Sequence, residues 1–305
     1  MELDKFYTNP KIIKGLIEKI DKRLKGVGLN FSDFIWIEPS AGSGNFIDAL
    51  KKYSKKINPK IKIKAYDIEP HGNIKFIEKI NFLELKSEYS SKNIIFGNPP
   101  FGKRSKLAID FINKSSEFAD IIAFILPNQF KRYLTQNKIN PNLKLISQFK
   151  ITEDSFLVND RAYNVNCVFQ IWVSKNRIEF EKIKDKRIYK SSKIRISDLD
   201  TFIYNNTKET RKYFNKNIYK WDFAVHRQGY YDYSELIEDE KKLNKKRQYF
   251  FIKCKNENCK NIVRKIDFKS ISKSNTSIPG YSTSDFIKIY KKTKKDNNKN
   301  NNDFK

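Results

Sequence analysis

An α/β fold built on a mostly parallel sheet is predicted by three features of this 305-residue sequence. Short apolar runs alternate with stretches of helical spacing. Two of those runs end in turns that are glycine-bearing or rigid, Glu38–Gly44 and Asn98–Phe101. Two later runs follow each other with no helix between them, which predicts an antiparallel pair at the sheet edge.

The first helix is expected over Pro10 to Lys25. Ile12, Ile13, Leu16, Ile17, Ile20 and Leu24 recur at helical spacing, and Pro10 suits a first turn. Phe34 to Ile37 reads as a strand that enters the Glu38–Gly44 turn, and Asn45 to Tyr53 as the helix behind it. Ile61 to Asp67 reads as a second strand and Ile94 to Gly97 as a third, the latter ending in Asn98. A helix over Leu107 to Phe118 and a buried strand over Asp120 to Leu126, closed by Pro127, follow. Leu143 to Ile151 and Val165 to Val173 form the antiparallel pair, joined by a longer loop.

After about Lys175 charged residues crowd in and the alternation weakens. Residues 1–185 are therefore read as one domain and 186–292 as a smaller α+β region. Within that region Gln248 to Lys253 is a strand and Ser284 to Lys292 a short helix. Residues 293–305, almost wholly lysine, asparagine and aspartate, are expected to remain an unfolded basic tail.

The formal net charge is +27. A surplus that large favours a polyanion, because cations near phosphates release counterions. Lysine outnumbers arginine, and asparagine and isoleucine are abundant, so A+T-biased coding contributes to the charge as well. Three cysteines, Cys167, Cys254 and Cys259, give no disulfide framework and fit a reducing compartment. The N-terminus lacks a basic-then-apolar leader, and the longest apolar run, Ala119–Leu126, is far too short for a bilayer. A soluble intracellular monomer with no membrane partner is expected.

The residues that carry chemistry cluster at strand ends. In Glu38–Gly44 the glycines let backbone approach a ligand, and a helix N-terminus follows. The turn is not the dinucleotide fingerprint. Asp67 ends the next strand, where an acid can accept hydrogen bonds from ribose hydroxyls; Glu69 competes for that role, and a loop-capping acid is the simpler alternative. Asn98-Pro99-Pro100-Phe101 is the sharpest signal. The prolines stiffen the loop and aim two acceptors, the Asn98 side-chain oxygen and the Pro99 carbonyl, into the cleft. Two acceptors on one NH2 group draw its hydrogens out of conjugation and free the nitrogen lone pair. Phe101 offers a face for a base to stack on. Lys103, Arg104 and Lys106 follow closely, suited to phosphates. Cys254 and Cys259 would need two further ligands to hold zinc, and no metal is expected.

Together these segments resemble the amino-group DNA methyltransferases, in particular the adenine-N6 branch. Lys5–Pro10 is similar to the family's N-terminal cofactor motif, in which Tyr7 and Thr8 would pack on the methionine part of S-adenosylmethionine. Glu38, Pro39, Ala41, Gly42 and Gly44 match its cofactor loop, and Ala65–Pro70, with Asp67 and Ile68, its ribose-binding segment. Gly97–Gly102 matches the catalytic loop. Where family members often carry an acid before an apolar residue to hold the cofactor's adenine, this chain has Asn81-Phe82. The motif order resembles the gamma arrangement, and the resemblance covers about residues 4–174.

The resemblance implies a Rossmann-like class I methyltransferase sheet and direct in-line methylation of N6 on a flipped-out adenine. Phe156, in the loop between the last two strands, would clamp the second face of that base, with Tyr163 as the alternative. DNA is favoured over RNA, and a restriction partner is not indicated. An RNA methyltransferase, acting on adenine N6 or on guanine N2 of ribosomal RNA, is the first alternative. A catalytically inactive nucleic-acid-binding module is the second. The segment Trp221–Tyr231 is read as either a contact with nucleic acid or the core of the smaller region.

Overall fold

The structure is a computed structural model. It describes residues 7–56, 61–71, 76–86, 88–151, 156–158, 161–163, 166–189, 196–274 and 278–302. The chain divides into two units between Lys190 and Ser191.

In the first unit, β1 (Tyr7–Thr8) precedes α1 (Pro10–Lys25), and β2 (Ile35–Glu38) leads into α2 (Asn45–Ser54). Then come β3 (Lys62–Asp67), β4 (Glu78–Lys79), β5 (Asn93–Gly97), α3 (Lys106–Ser115), β6 (Ile121–Pro127) and the short α4 (Tyr133–Gln136). Strands β7 (Leu143–Lys150), β8 (Phe156–Val158), β9 (Arg161–Tyr163) and β10 (Cys167–Ser174) complete it.

The main sheet has seven strands in the order β4-β3-β2-β5-β6-β10-β7. The first five run parallel, and β10 is antiparallel to both its neighbours. The antiparallel pair expected from sequence forms, with β10 inserted beside β6 and β7 left at the edge. The reason lies in the side chains. Cys167 to Val173 is buried on both faces, the pattern of an interior strand, whereas β7 becomes exposed toward Lys150.

The core follows the predicted spacing. Ile13, Leu16, Ile17, Ile20 and Leu24 of α1 are buried. Trp36 of β2 meets Phe96 of β5 edge-on at 5.2 Å, and Phe46 of α2 meets the same ring at 5.6 Å. Such pairs add about 0.5–1.5 kcal/mol beyond their area. This packing brings the carboxyl ends of β2, β3 and β5 to one edge, where open α/β sheets form a crevice. A separate small sheet, β1-β8-β9, pairs Thr8 with Phe156 and Phe156 with Tyr163.

Arg187 belongs to this first unit, a few residues past the boundary expected from charge density. Its guanidinium donates to the carbonyls of Gln136, Ile139, Asn140 and Leu143 at 2.6–3.1 Å. A run of charged residues thus hides a buried cross-link.

The second unit contains β11 (Leu199–Tyr204), α5 (Lys216–Tyr219), β12 (Phe223–His226), β13 (Tyr249–Cys254), α6 (Glu257–Arg264), α7 (Phe268–Ser274) and α8 (Thr283–Asn302). Its antiparallel sheet has β13 between β11 and β12. Alternation along β13 divides the core: Phe250 and Ile252 pack with Ile262, Val263 and Phe286, while Tyr249 and Phe251 pack with Tyr204 and Trp221. Trp221 and Phe223 to His226 are buried, so that half of the aromatic segment is core; Tyr230 is exposed. Helix α8 runs on to Asn302, through residues that composition reads as an unfolded tail. Phe286 and Tyr290 anchor it, and Lys294 pairs with Asp198. A helix nucleated by a buried face propagates at little further cost.

No helix among the described residues is long and apolar enough to cross a membrane.

Candidate active site

One cleft opens at the carboxyl ends of β2, β3 and β5. Its cavity volume is about 280 Å³. Glu38, Pro39, Ala41 and Gly42 line it from the turn after β2, and Asp67, Ile68 and Glu69 from the turn after β3. Asn98, Pro99, Pro100 and Phe101 line it from the turn after β5, and Asn81 and Phe82 from a further wall. Thr8 also reaches it. Segments far apart in sequence thus converge on one cavity.

The turn after β2 is held by its glycines and by Asp67. Gly42 and Gly44 have φ of +51° and +79°, a region that L side chains rarely enter. The Gly42 N–H donates to Asp67 Oδ2 at 2.7 Å, and the Glu69 N–H to Asp67 Oδ1 at 2.8 Å. Both carboxylate oxygens therefore brace loops, the simpler role foreseen for this acid. Each oxygen keeps a second acceptor site. Gly44 caps α2 and is not part of the wall.

Glu38 is 1% exposed, and its Oε2 has no hydrogen-bond partner among the described residues. Burial, and then the negative charge of Asp67, raise its carboxyl well above the usual glutamate range. A buried acceptor without a donor is costly in the free protein. It is the kind of group that a ligand ammonium or hydroxyl would satisfy.

The turn after β5 begins at Gly97, whose φ is +149° and where a Cβ would sit 3.3 Å from Glu38 Cγ. Ser40 donates its hydroxyl to the Asn98 carbonyl at 3.2 Å, tying this turn to the one after β2. Phe101 is 9% exposed and forms a wall. Beyond it Gly102, Arg104 and Ser105 all have positive φ, near +66°, +53° and +57°. Two successive non-glycine residues held in that region cost about 1 kcal/mol or more each, and such strain collects at functional sites. Gln129, in the turn after β6, donates to Ser105 Oγ from behind. Lys103, Arg104 and Lys106 are exposed just past the cleft.

Asn81 caps its own turn: its Oδ1 accepts from the Leu83 N–H, and its amide donates to Glu84. Phe82 is buried and stacks on Phe111 at 5.5 Å. The Asn45 amide donates to the Thr8 carbonyl at 3.3 Å and so ties β1 to the cofactor-loop helix. The side chains of Tyr7, Phe156 and Tyr163 lie outside the described residues. Ser105 and Gln129 carry no local sequence signal, because a bond between side chains twenty-four residues apart leaves none. Leu107 and Phe111, which complete the wall, could have been found as the inner face of the helix after Phe101.

Residues 32–183 match the model of the EDM2 methyltransferase-like domain. The first unit carries a methyltransferase-like domain. S-adenosylmethionine is its cofactor. A search of curated protein sequences returns no match. Among solved structures, one from Listeria monocytogenes assigned to the class I S-adenosylmethionine-dependent methyltransferases is 11% identical, with a TM-score of 0.44, over 60% of this chain and 64% of that one. The methyltransferase subunit of a type I restriction-modification system from Streptococcus thermophilus is 16% identical, with a TM-score of 0.42, over 58% of this chain and 46% of that one. The 23S ribosomal RNA methyltransferase ErmE is 15% identical, with a TM-score of 0.37, over 56% of this chain and 70% of that one.

Proposed function

We propose that this methyltransferase domain methylates the N6 amino group of adenine in a nucleic acid, with DNA the favoured substrate. The observation that carries this reading is that Asn98–Phe101 lines the same cleft as Glu38, Gly42 and Asp67. A loop suited to an exocyclic amine faces a pocket suited to the cofactor.

The cofactor fits the residues present. Glu38 would accept from the methionine amino group, which gives its unpartnered oxygen a donor. Asp67, already aligned by two backbone N–H groups, would accept from the ribose hydroxyls, with Glu69 as the next acceptor. Ile68 and Phe82 supply apolar walls for the adenine, and the Asn81 turn fixes Phe82. Tyr7 and Thr8 belong to the strand that closes the methionine end. When bound, S-adenosylmethionine supplies a methyl group that is electrophilic without further activation.

The chain's own work is positioning. Asn98 Oδ1 and the Pro99 carbonyl accept from the target NH2 group, and the prolines keep both acceptors fixed, so little reorganisation is needed. Phe101 stacks on the base, and Phe156 is the proposed second clamp. Taking a base out of a duplex costs a few kcal/mol, which stacking and the two hydrogen bonds offset. Lys103, Arg104 and Lys106 would hold the flanking phosphates. The second unit would supply the remaining contacts with nucleic acid.

The +27 charge supports a polyanionic substrate. The Tyr7-Thr8 motif and the gamma-like order support adenine N6 in DNA over the RNA alternatives. The test is to incubate the protein with methyl-labelled S-adenosylmethionine and, separately, duplex DNA, single-stranded DNA and ribosomal RNA, then digest to nucleosides. Label in N6-methyladenine from DNA is expected. Label confined to N2-methylguanine or to RNA would overturn the substrate assignment while leaving the cofactor assignment intact.

A further inference from the structure

The second unit holds a pair of thiols that the methyl-transfer reading does not use. Cys254 ends β13 and Cys259 lies in the first turn of α6. Their Sγ atoms are 2.7 Å apart and share one hydrogen bond. That is well inside ordinary sulfur contact, and a shift of under about 1 Å would bring the atoms to bonding distance.

The approach is built into the backbone on both sides. The Cys254 N–H donates to Asp222 Oδ2 at 2.7 Å, and Asp222 Oδ1 in turn pairs with Lys260 at 3.0 Å. The Cys259 N–H donates to Asn256 Oδ1 at 2.9 Å, the side-chain cap of α6. The five-residue step between the two cysteines is therefore clamped at the strand end and at the helix start. Cys254 is half-buried and reachable from solvent, whereas Cys259 is 1% exposed.

We infer that Cys254 and Cys259 form a reversible oxidation site, a dithiol that closes to an intramolecular disulfide when met by a low-molecular-weight disulfide such as oxidised glutathione. Cys254, the accessible thiol, exchanges first, so that one glutathione leaves as its thiol and the other stays bonded to Cys254. The Cys259 sulfur then attacks the Cys254 sulfur. The bond to glutathione breaks, the Cys254–Cys259 bond forms, and the second glutathione leaves as its thiol. The two protein thiol protons end on the two departing glutathiones. The protein sulfurs are oxidised and the glutathione disulfide is reduced. Cys259 is suited to the resolving step, because its sulfur already lies 2.7 Å from the Cys254 sulfur. The closed bond would fasten the end of β13 to the start of α6. Cys167 is a different case: it is buried in β10, and burial pushes its thiol up.

The test exposes the full chain to oxidised glutathione, quenches with acid, alkylates under denaturing conditions and maps the cysteines by mass spectrometry. The expected product is an unalkylated peptide spanning Cys254 and Cys259, lighter by two hydrogen atoms and returned to two alkylatable thiols by dithiothreitol. Cys167 should remain alkylatable throughout. In Cys259→Ser a glutathione adduct should persist on Cys254. Two alkylated cysteines in the native protein after exposure, or a persistent Cys254 adduct with Cys259 intact, would overturn the inference.

Discussion

Gly97 and Glu38 share a few cubic ångströms at the base of the cleft. Gly97 has a positive φ, and a Cβ there would press on the Glu38 side chain at 3.3 Å. Gly97→Ala is expected to lose about 1–3 kcal/mol of stability in urea unfolding and to displace Glu38, weakening cofactor binding in calorimetry. Glu38 itself opposes stability in the free protein. Its folded carboxyl binds a proton more readily than the unfolded one, so folding stability falls as pH rises above the ordinary glutamate range. Glu38→Gln removes that charge. Its melting temperature without cofactor should exceed that of the parent at pH 8, and the difference should shrink as pH is lowered toward 4. An unchanged difference across that range would show that the carboxyl is not perturbed. At this scale the sequence was partly legible. The glycines of the two turns carry their conformational role in their residue type. The cross-loop bond of Ser40 was not legible, because it depends on a partner fifty-eight residues away.

Among the elements, helices and strands with strong periodicity were legible, and α1 was read to the residue. Insertion of β10 beside β6 was not, because a doubly buried apolar run does not say which neighbours bury it. The strap that ends the first unit was not legible either. Arg187 reads as one more charge among many, yet its fork bonds four carbonyls around α4 and the start of β7. Gln136, between them, donates to the Phe130 carbonyl at 2.7 Å and so carries that support to the turn after β6. Arg187→Ala should destabilise the protein by about 3 kcal/mol, since buried carbonyls lose their donor. Arg187→Lys should recover only a small part, because an ammonium cannot reproduce the planar fork. Chemical denaturation of the two variants side by side checks this; equal stability of Arg187→Lys and the parent would contradict it. The continuation of α8 past Lys294 shows the converse limit. Composition judged residues 293–305 alone, while the fold extends a helix already anchored by Phe286 and Tyr290.

Over the whole molecule the excess of lysine and arginine bears on association rather than on folding. If nucleic acid is the substrate, its affinity should fall steeply with salt, and the logarithmic slope should count the phosphates engaged. Replacing Lys103, Arg104 and Lys106 together with alanine should weaken binding across sequences and reduce that slope by about one for each phosphate no longer engaged. Fluorescence anisotropy against a salt series reads both quantities. A slope that does not change would move the phosphate-binding surface elsewhere on the molecule. The charge was legible from composition, but its origin in function or in coding bias was not, since either yields the same count of lysines.

The most direct test of the account is the methyl-transfer rate of Asn98→Ala at saturating S-adenosylmethionine, beside the parent and with cofactor affinity measured on the same preparations. Loss of one of two acceptors aimed at the target amine should lower the rate by about 100-fold or more and leave cofactor affinity within a few-fold of the parent. A variant that transfers methyl groups to adenine as fast as the parent would contradict the assignment of Asn98, and with it the reading of the cleft as an amino-methylation site.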